Sequence, residues 1–316
     1  MHKGSLQFYP RVRAKKVIPS VNWSPIKKII SPSKLLGFIG YKVGMVSVFA
    51  KDETPDSMTK GKRIIVPATV IECPQMKIYS IRFYKNNQVA KDVIVSNEKI
   101  LKSKLNVGKN VKNVDKIDFD YDDLRVVVYS DVASTGFGKK SPDVLEIALN
   151  SSMSKEEKLN FVKEKIGKGF FIEDVFEKGK QVPADVRAVT KGYGTQGPVK
   201  RFGITLKSHK SEKGRRRPGS LAPWHPARVT FRTPMAGQTG YHNRVVYNNL
   251  VLKIGKISEE DINKKQGFHK YGNIKTNYIL LRGSVPGTKK RAIVITPALR
   301  ATRNIAKKKL EVLELR

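Results

Sequence analysis

The sequence predicts an α+β fold that is rich in β-strands, and three observations support this prediction. Short runs of β-branched and aromatic residues, separated by turn residues, occur in both halves of the chain and indicate the strands of a meander or a barrel. One segment near the middle has the apolar spacing of a helix. A basic segment of about fifty residues lies between the strands and has no periodicity.

The composition indicates a protein with a polyanionic partner. The chain has 316 residues, 39% of them hydrophobic, which is enough for one large or two modest domains with a core. Its 62 Lys and Arg outnumber its 27 Asp and Glu, which gives a formal net charge of +35. Self-repulsion at that charge favours a polyanion, which could be RNA, DNA, an acidic protein or an anionic membrane surface.

Several classes of protein are excluded. No apolar run reaches the roughly 18 residues of a membrane-spanning helix, so we expect no membrane insertion. The basic N-terminus has no apolar run of a secretory signal, and Pro10, Pro19 and Pro25 interrupt any amphipathic transit helix. One cysteine, Cys73, excludes an intrachain disulfide and a cysteine-based zinc site. We therefore expect an intracellular protein.

The charge is concentrated in two parts of the chain. Residues 1–35 carry eight Lys and Arg and no acid, whereas residues 36–186 are nearly balanced, with 25 basic and 21 acidic residues. Residues 187–316 carry 29 basic and six acidic residues, and within 187–250 Glu212 is the only acid. A nearly neutral body thus carries a basic arm and a basic second half.

The first elements are an arm and a series of strands. The arm, residues 1–35, has no sustained periodicity and is interrupted by prolines, so we expect it to be extended and ordered only against a partner. The first strand is expected at 35–49, where three glycines bend it. Further strands are predicted at 64–71, 78–84, 92–95 and 124–130.

One helix is predicted inside an α/β insertion at 86–184. Ser154 and Glu157 have the spacing of a capping box, and Gly167 is expected to end the helix. Apolar residues recur on one face, at Leu159, Val162 and Ile166.

The remaining strands enclose the irregular basic segment. A strand is predicted at 185–189, after which regular structure stops, and the β pattern resumes at 245–254, 277–282 and 291–296. Ser258 and Asp261 could cap a short helix. The predicted division is a basic arm at 1–35, a β domain at 36–85 and 185–300 that contains an extension at 190–244, an α/β insertion at 86–184, and a basic tail at 301–316.

The extension, residues 190–244, has the composition of an RNA-binding segment. A loop this long inside a domain is normally functional, and its glycines allow the backbone to approach a phosphate chain closely. Its arginines supply forked donors for phosphate oxygens. Four aromatic residues offer faces on which unpaired bases can stack, namely Tyr193, Phe202, Trp224 and Tyr241. Because prolines, glycines and arginines surround Trp224, we expect it to face RNA instead of a core.

A glycine triplet in the extension matches a nucleotide-binding motif on paper. Gly192, Gly194 and Gly197 follow a predicted strand with the G-x-G-x-x-G spacing. That motif works by opening a helix whose N-terminus binds the pyrophosphate. Here Pro198 and a basic run follow without helical periodicity, so we expect neither a helix nor a nucleotide site.

No metal site or catalytic centre is predicted. His209, His225 and His242 fit no common ligand spacing, and Glu212 is the only carboxylate in their segment. The acidic cluster at 115–123 lacks the central glycine and the final glutamate of a calcium loop, so a solvated turn is expected there. We predict no cofactor and no small-molecule substrate.

Five motifs resemble one known family. They are G-F-I-G-Y-K-V-G-M at 37–45, V-T-K-G-Y-G-T-Q-G-P-V-K-R-F-G at 189–203, P-W-H-P-A-R-V at 223–229, G-Q-T-G-Y-H at 237–242 and G-S-V-P-G at 283–287. With these motifs in this order, the chain resembles the large-subunit ribosomal protein three family (universal ribosomal protein uL3), in its archaeal and eukaryotic form.

The resemblance implies a translation-protein-type β-barrel with an inserted α/β domain. It also implies a cytoplasmic structural constituent of the large ribosomal subunit that is not an enzyme, binds ribosomal RNA early in assembly and contacts neighbouring large-subunit proteins. The extension would point toward the peptidyl transferase centre, with Trp224 near its tip. The residues expected to bind ribosomal RNA are Arg11, Arg13, Lys15, Lys16, Lys191, Lys200, Arg201, Lys207, His209, Lys210, Lys213, Arg215, Arg216, Arg217, Trp224, His225, Arg228, Arg232, Tyr241, His242 and Arg244.

Two alternatives remain at this stage. An RNA-modifying enzyme could use the extension's histidines, but it would need a cofactor pocket or a carboxylate of strongly shifted pKa in a cleft. A general DNA-packaging protein would bind any duplex, but that function does not explain the large β body.

Overall fold

The chain forms two compact units in a computed structural model, which describes residues 5–28, 33–107 and 120–316. Within those ranges, the larger unit contains residues 18–188 and 245–316, and the smaller unit contains residues 5–17 and 189–244.

The described residues are mostly β-sheet with few helices, which confirms the predicted sheet-rich α+β class. The strands are β1 Phe38–Asp52, β2 Arg63–Cys73, β3 Met76–Lys85, β4 Gln88–Ile94, β5 Asp123–Ser130, β6 Val144–Ala148, β7 Pro183–Val189, β8 Gly192–Gln196, β9 Gly237–Gly240, β10 Asn243–Lys256, β11 Asn277–Arg282, β12 Ala292–Pro297 and β13 Leu310–Leu315. The helices are α1 Trp23–Ile26, α2 Lys155–Lys165, α3 Pro198–Phe202 and α4 Arg303–Ala306. Short 3-10 turns occur at Leu6–Phe8, Lys99–Ser103, Val132–Ser134 and Ile172–Asp174.

The larger unit is built on a seven-stranded main sheet. Its strand order is β12-β7-β10-β11-β2-β1-β13, and β12 also pairs with β1. Of the glycines predicted to bend the first strand, Gly40 is required by packing, since a Cβ there would lie 2.5 Å from Ile71 Cγ2 on β2. The β1–β2 register shifts between Lys42 and Gly44. A glycine here lets the two strands approach closely where both are buried.

A four-stranded second sheet, in the order β4-β3-β5-β6, carries the predicted helix. The capping box is confirmed, because Ser154 Oγ accepts from Glu157 N at 3.1 Å and Glu157 Oε2 accepts from Ser154 N at 3.0 Å. On the predicted apolar face Val162 is fully buried, and Phe161 is buried beside it. The helix α2 ends just before Gly167, whose φ of +82° needs a residue without a Cβ.

The two sheets share one core. Tyr41 on β1 is buried, and its hydroxyl lies 2.6 Å from Ser130 Oγ and donates to Asp143 Oδ2 at 2.7 Å. Burial beside that carboxylate raises the pKa of Tyr41 far above its usual range. The hydroxyl therefore stays protonated and joins β1 to the segment around β5 and β6.

The second part of the predicted arm folds onto this core. Residues 23–26 form α1, with Trp23 and Ile26 buried, which corrects the expectation of an extended arm for this stretch. Asn22 caps it, accepting from Ser24 N at 3.2 Å. Pro25 lies in the first turn, where a helix has no use for its backbone N–H, so the proline does not break it.

Two further predictions are wrong. The predicted tail at 301–316 contains α4 and β13, and β13 pairs with β1 across Val48–Asp52. Its alternating apolar residues find a partner strand about 260 positions earlier, which no local pattern reveals. No helix begins at Ser258, because Lys256 O accepts from Glu259 N and Glu260 N in a turn and Asp261 caps Asn263 N at 2.8 Å. Of the acidic cluster at 115–123, residues 115–119 lie outside the described residues.

Candidate nucleic-acid interface

The smaller unit contains the extension, and its two ends form a ribbon. The strands β8 and β9 pair antiparallel, with Gly192 opposite Gly240 and Gln196 opposite Gly237. The helix α3 follows β8 directly and ends at Gly203, whose φ is +66°. The prediction that regular structure stops for about fifty residues is therefore wrong at both ends of the segment.

The helix after the glycine triplet was not expected from its sequence. Pro198 occupies the first turn, where its fixed φ suits a helix and its missing N–H costs nothing. A helix of five residues needs no apolar periodicity. The antiparallel ribbon and this short helix differ from the parallel strand and long helix of a dinucleotide site, so the triplet does not have the geometry of that motif here.

The N-terminal arm packs against the extension within the smaller unit. Ala14 N donates to Tyr241 O at 2.8 Å, and His242 Nδ1 lies 2.8 Å from Val12 O. The sequence predicts an arm that only a partner orders. The structure corrects this for residues 11–14, because the partner they find is another part of the same chain.

Two arginines of the predicted set bind protein carbonyls. Arg11 Nη1 donates to Arg201 O at 2.7 Å, and its guanidinium carbon lies 4.2 Å from the centre of the Phe202 ring. Arg201 donates in turn to Gln238 O at 3.1 Å and to Met235 O at 3.0 Å. Burial, and then the neighbouring Arg11 cation, lowers the pKa of Arg201. These contacts connect the arm, α3 and β9.

A third arginine is used in a similar way. Arg244 Nη1 donates to Asn243 O at 2.8 Å, and its guanidinium carbon lies 4.4 Å from the centre of the Phe8 ring. Burial lowers the pKa of Arg244, and Arg11 adds to this effect. A guanidinium has five N–H donors, so each of these side chains still has donors for a phosphate.

The predicted set divides by exposure. Five members are half-buried, namely Arg11, Arg201, Tyr241, His242 and Arg244. The other members are exposed: Arg13, Lys15, Lys16, Lys191, Lys200, Lys207, His209, Lys210, Lys213, Arg215, Arg216, Arg217, Trp224, His225, Arg228 and Arg232. The half-buried group provides contacts inside the unit, and the exposed group forms its surface.

The densest charge lies in the basic loop, residues 207–217. Lys207 N donates to Arg215 O at 3.1 Å, which closes the loop. Lys213 turns the chain with a φ of +58°. Glu212 is the only carboxylate in the loop, and within the described ranges no ion pair involves the loop's cations. The loop therefore presents uncompensated positive charge to solvent.

The aromatic residues behave in two ways. Trp224 is 88% exposed and offers a ring face to a base, and Tyr193 is 49% exposed with the ammonium groups of Lys191 and Lys200 5.5 Å and 5.7 Å from its ring centre. Phe202 is buried and Tyr241 is half-buried, with arginines over both rings, so these two support the unit. Phe231, which sequence reasoning missed, is 65% exposed. Its position between Thr230 and Arg232 in the basic segment was the available signal.

The histidines do not form a catalytic group. His209 and His225 are exposed, while the His242 ring contacts the arm through Val12. No cluster of three metal-binding side chains occurs in the part of the chain that the structure describes. Among the same residues, no helix is long and apolar enough to cross a lipid bilayer.

Comparison with known proteins assigns the family. The model of the family described as Ribosomal protein L3 matches residues 1–96 and 81–316, which together cover the whole chain. The chain belongs to the ribosomal protein L3 family. This confirms the resemblance seen in the sequence motifs, and members of the L3 family are structural components of the ribosome and not enzymes.

Archaeal relatives in the L3 family align along nearly the full chain. The large ribosomal subunit protein uL3 of Archaeoglobus fulgidus is 41% identical over 311 residues, which cover 94% of this chain and 91% of that protein. The protein of the same name from Methanocella arvoryzae is 38% identical over 330 residues, with 98% and 95% covered. That of Pyrobaculum aerophilum is 38% identical over 316 residues, with 95% and 92% covered.

Proposed function

We propose that this protein is a structural constituent of the large ribosomal subunit and binds large-subunit ribosomal RNA through its smaller unit. The observation that carries the proposal is the exposed cationic surface of that unit, in which the basic loop has one carboxylate. Lysine and arginine without carboxylate partners bind phosphates by releasing counterions. The exposed Trp224 adds a stacking face that suits an unpaired base in folded RNA.

The half-buried arginines have a different role in this proposal. Arg11 and Arg201 through their hydrogen bonds, and Arg244 through its contact with the Phe8 ring, keep the arm and the extension together, so that the exposed cations stand in fixed positions before RNA binds. A surface that is already ordered loses less conformational entropy on binding than a flexible tail does. This favours specific recognition of a folded RNA over general attachment to nucleic acid.

The finer placement rests on the family. We propose that the protein joins the large subunit early in its assembly in the cytoplasm, that it contacts neighbouring large-subunit proteins, and that the extension points toward the peptidyl transferase centre with Trp224 near its tip. The high exposure of Trp224 on a chain that carries +35 supports a role for its ring outside this protein's own core.

The finer architecture is also a proposal. The pairing of β12 with β1 supports reading the strands from β12 to β1 as a translation-protein-type barrel. The second sheet and α2 would be the inserted α/β domain. Because β3 belongs to the second sheet, we move the start of that insertion from residue 86 to Met76. The extension at 190–244 would leave the barrel between β7 and β10.

The salt dependence of RNA binding tests the proposed function. Replacing Lys210, Lys213, Arg216 and Arg217 by Gln should weaken binding to large-subunit ribosomal RNA and reduce the slope of log K against log salt by about 0.7–0.9 per lost phosphate contact.

A matched control loses the same charge elsewhere. Gln at Lys60, Lys62, Lys99 and Lys102, which are exposed lysines of the larger unit, should leave the slope unchanged. Equal losses for both variants would contradict the proposed surface. Equal competition by a DNA duplex of the same length would favour a general DNA-packaging protein instead.

A further inference from the structure

The last strand of the main sheet has one free edge. The strand β13 stands at the end of the strand order and pairs only with β1 among the described strands. Ser47 and Arg316 exchange both backbone hydrogen bonds, each at 2.8 Å. Because the groups of alternate residues point to opposite sides of a strand, the N–H and C=O of the preceding Leu315 point away from β1. They point to the free edge.

The backbone groups of Leu310, at the start of this edge, are bonded by a side chain in the way that a neighbouring strand would bond them. Gln181 Oε1 accepts from Leu310 N at 2.8 Å, and Gln181 Nε2 donates to Leu310 O. One side-chain amide thus satisfies both outward backbone groups of Leu310. Leu315 has no such amide beside it in the part of the chain that the structure describes, and Leu313 is the extra residue where the β13 register with β1 shifts between Phe49 and Ala50. The edge is therefore closed at one end and open further along.

A groove of about 450 Å³ runs beside the open part of the edge. Residues 312–316 line one side and residues 260–264 line the other. Val46, Val70 and Phe268 contribute an apolar base. Leu313 itself is 48% exposed. A strand edge above an apolar groove is the arrangement that binds an extended peptide, through main-chain hydrogen bonds and alternate side-chain pockets.

The charge of this groove differs from that of the surrounding chain. Three of the six acidic residues in 187–316 line it, namely Glu260, Asp261 and Glu314. Lys253 pairs with Glu260 and Arg316 pairs with Glu314, the latter at 3.3 Å, and Lys264 is the remaining lining cation.

The side chains that line the groove thus carry three negative and three positive charges, and Glu311 adds a carboxylate on the strand. Residues 187–316 as a whole carry 29 basic and six acidic residues. A groove whose charges are balanced does not attract polyanionic RNA, because the counterion release that drives RNA binding needs unpaired cations. The charge pattern instead fits a peptide whose own side chains are apolar with some Lys or Arg.

We propose that the free edge of β13 is a docking site for an extended segment of a neighbouring large-subunit protein, which adds to the main sheet as a further strand. The segment alternates apolar side chains, which enter the groove, with basic ones, which face Asp261 and Glu311. This inference rests on the proposed function, because that function supplies a neighbouring large-subunit protein. It deepens the proposal by assigning one surface and one mode of binding.

Site-specific crosslinking in assembled large subunits tests the inference. Cys73 is buried, so a Leu313→Cys variant of the full chain has one accessible thiol that takes a maleimide photocrosslinker. We expect the labelled subunit to yield a crosslink to one protein, within a segment of alternating apolar residues. Met58→Cys, on a residue that is 97% exposed in the same unit, gives the background yield.

Two double variants separate strand addition from side-chain contact. Leu313→Cys with Leu315→Pro removes an N–H that points to the free edge and leaves the Ser47–Arg316 hydrogen bonds in place, so the crosslink should be lost. Leu313→Cys with Leu315→Ala shortens the same side chain and keeps the N–H, so the crosslink should persist. Equal yields from the two variants would overturn strand addition.

The outcomes distinguish this inference from the proposed function. If the labelled protein sediments with the large subunit but crosslinks to RNA, to a second copy of itself, or only at the background yield, the docking site is overturned and the proposed function stands. If the protein fails to enter large subunits at all, as the Met58→Cys control would also show, the proposed function fails and the inference fails with it.

Discussion

Arg11 provides a direct test of how the RNA-binding unit is organised. Its side chain donates to Arg201 O at 2.7 Å and stacks 4.2 Å from the centre of the Phe202 ring. A hydrogen bond from a charged group contributes about 1.5–3 kcal/mol and a cation–π contact about 0.5–1 kcal/mol. Because Arg11 is only half-buried, we take the lower part of this range. Arg11→Ala should weaken docking of the arm by about 2 kcal/mol.

The amide of Ala14 reports this change. Its N–H donates to Tyr241 O at 2.8 Å and exchanges with solvent when the arm opens. A loss of about 2 kcal/mol corresponds to roughly thirtyfold faster exchange, since 1.4 kcal/mol is a factor of ten. Hydrogen exchange of the free protein measures it.

Lys15→Ala is the matched control. Lys15 is exposed in the same arm, so the substitution removes the same charge without removing a contact. Both variants should lose similar electrostatic attraction to RNA, and Arg11→Ala should lose additional affinity because its arm must be ordered again on binding. Unchanged exchange at Ala14 in Arg11→Ala would refute the view that this arginine orders the arm.

Three further predictions concern the two tryptophans and two buried carboxylates. Trp224→Ala should leave the free energy of unfolding unchanged and cost about 1–3 kcal/mol in RNA binding, whereas Trp23→Ala, at a residue 3% exposed, should cost about 3–5 kcal/mol of stability. Denaturant unfolding and RNA titration of both variants measure this, and a larger loss of stability in Trp224→Ala than in Trp23→Ala would contradict it. Glu72 is fully buried and accepts a hydrogen bond from Lys275 N at 2.9 Å, among other donors. Glu72→Gln replaces charged hydrogen bonds by neutral ones, so it should lower the free energy of unfolding by about 2 kcal/mol in the same assay, and an unaltered unfolding midpoint would contradict this prediction. Hydrogen bonds from Thr54 and Thr59 keep the pKa of Asp52 well below its usual range, so the stabilising effect of the Asp52 carboxylate is complete at neutral pH and declines once the pH falls below about 4. The difference in unfolding free energy between wild type and Asp52→Asn should therefore become smaller below that pH, and a difference independent of pH would contradict this account.

Local sequence determined most of the elements of this fold. Strand positions follow from runs of β-branched residues, and the α2 boundary follows from Ser154, Glu157 and Gly167, because a capping box and a glycine stop act over three or four residues. The exposed cations and Trp224 were also predictable, since a segment with so few apolar residues cannot bury them. These features depend on neighbours in the chain.

Tertiary structure decided what the remaining residues do. Arg11 and Arg216 are the same residue type in equally basic surroundings, yet Arg11 binds a carbonyl 190 positions away and Arg216 is exposed. Likewise β13 has the pattern of a strand, but only its pairing with β1 shows which edge is satisfied and which is free. The chemistry of a side chain decides which groups it can bind, but the tertiary fold decides which of those groups lies beside it. The sequence alone does not show this, because the entropy of closing a long loop is offset only when many contacts across the fold form together.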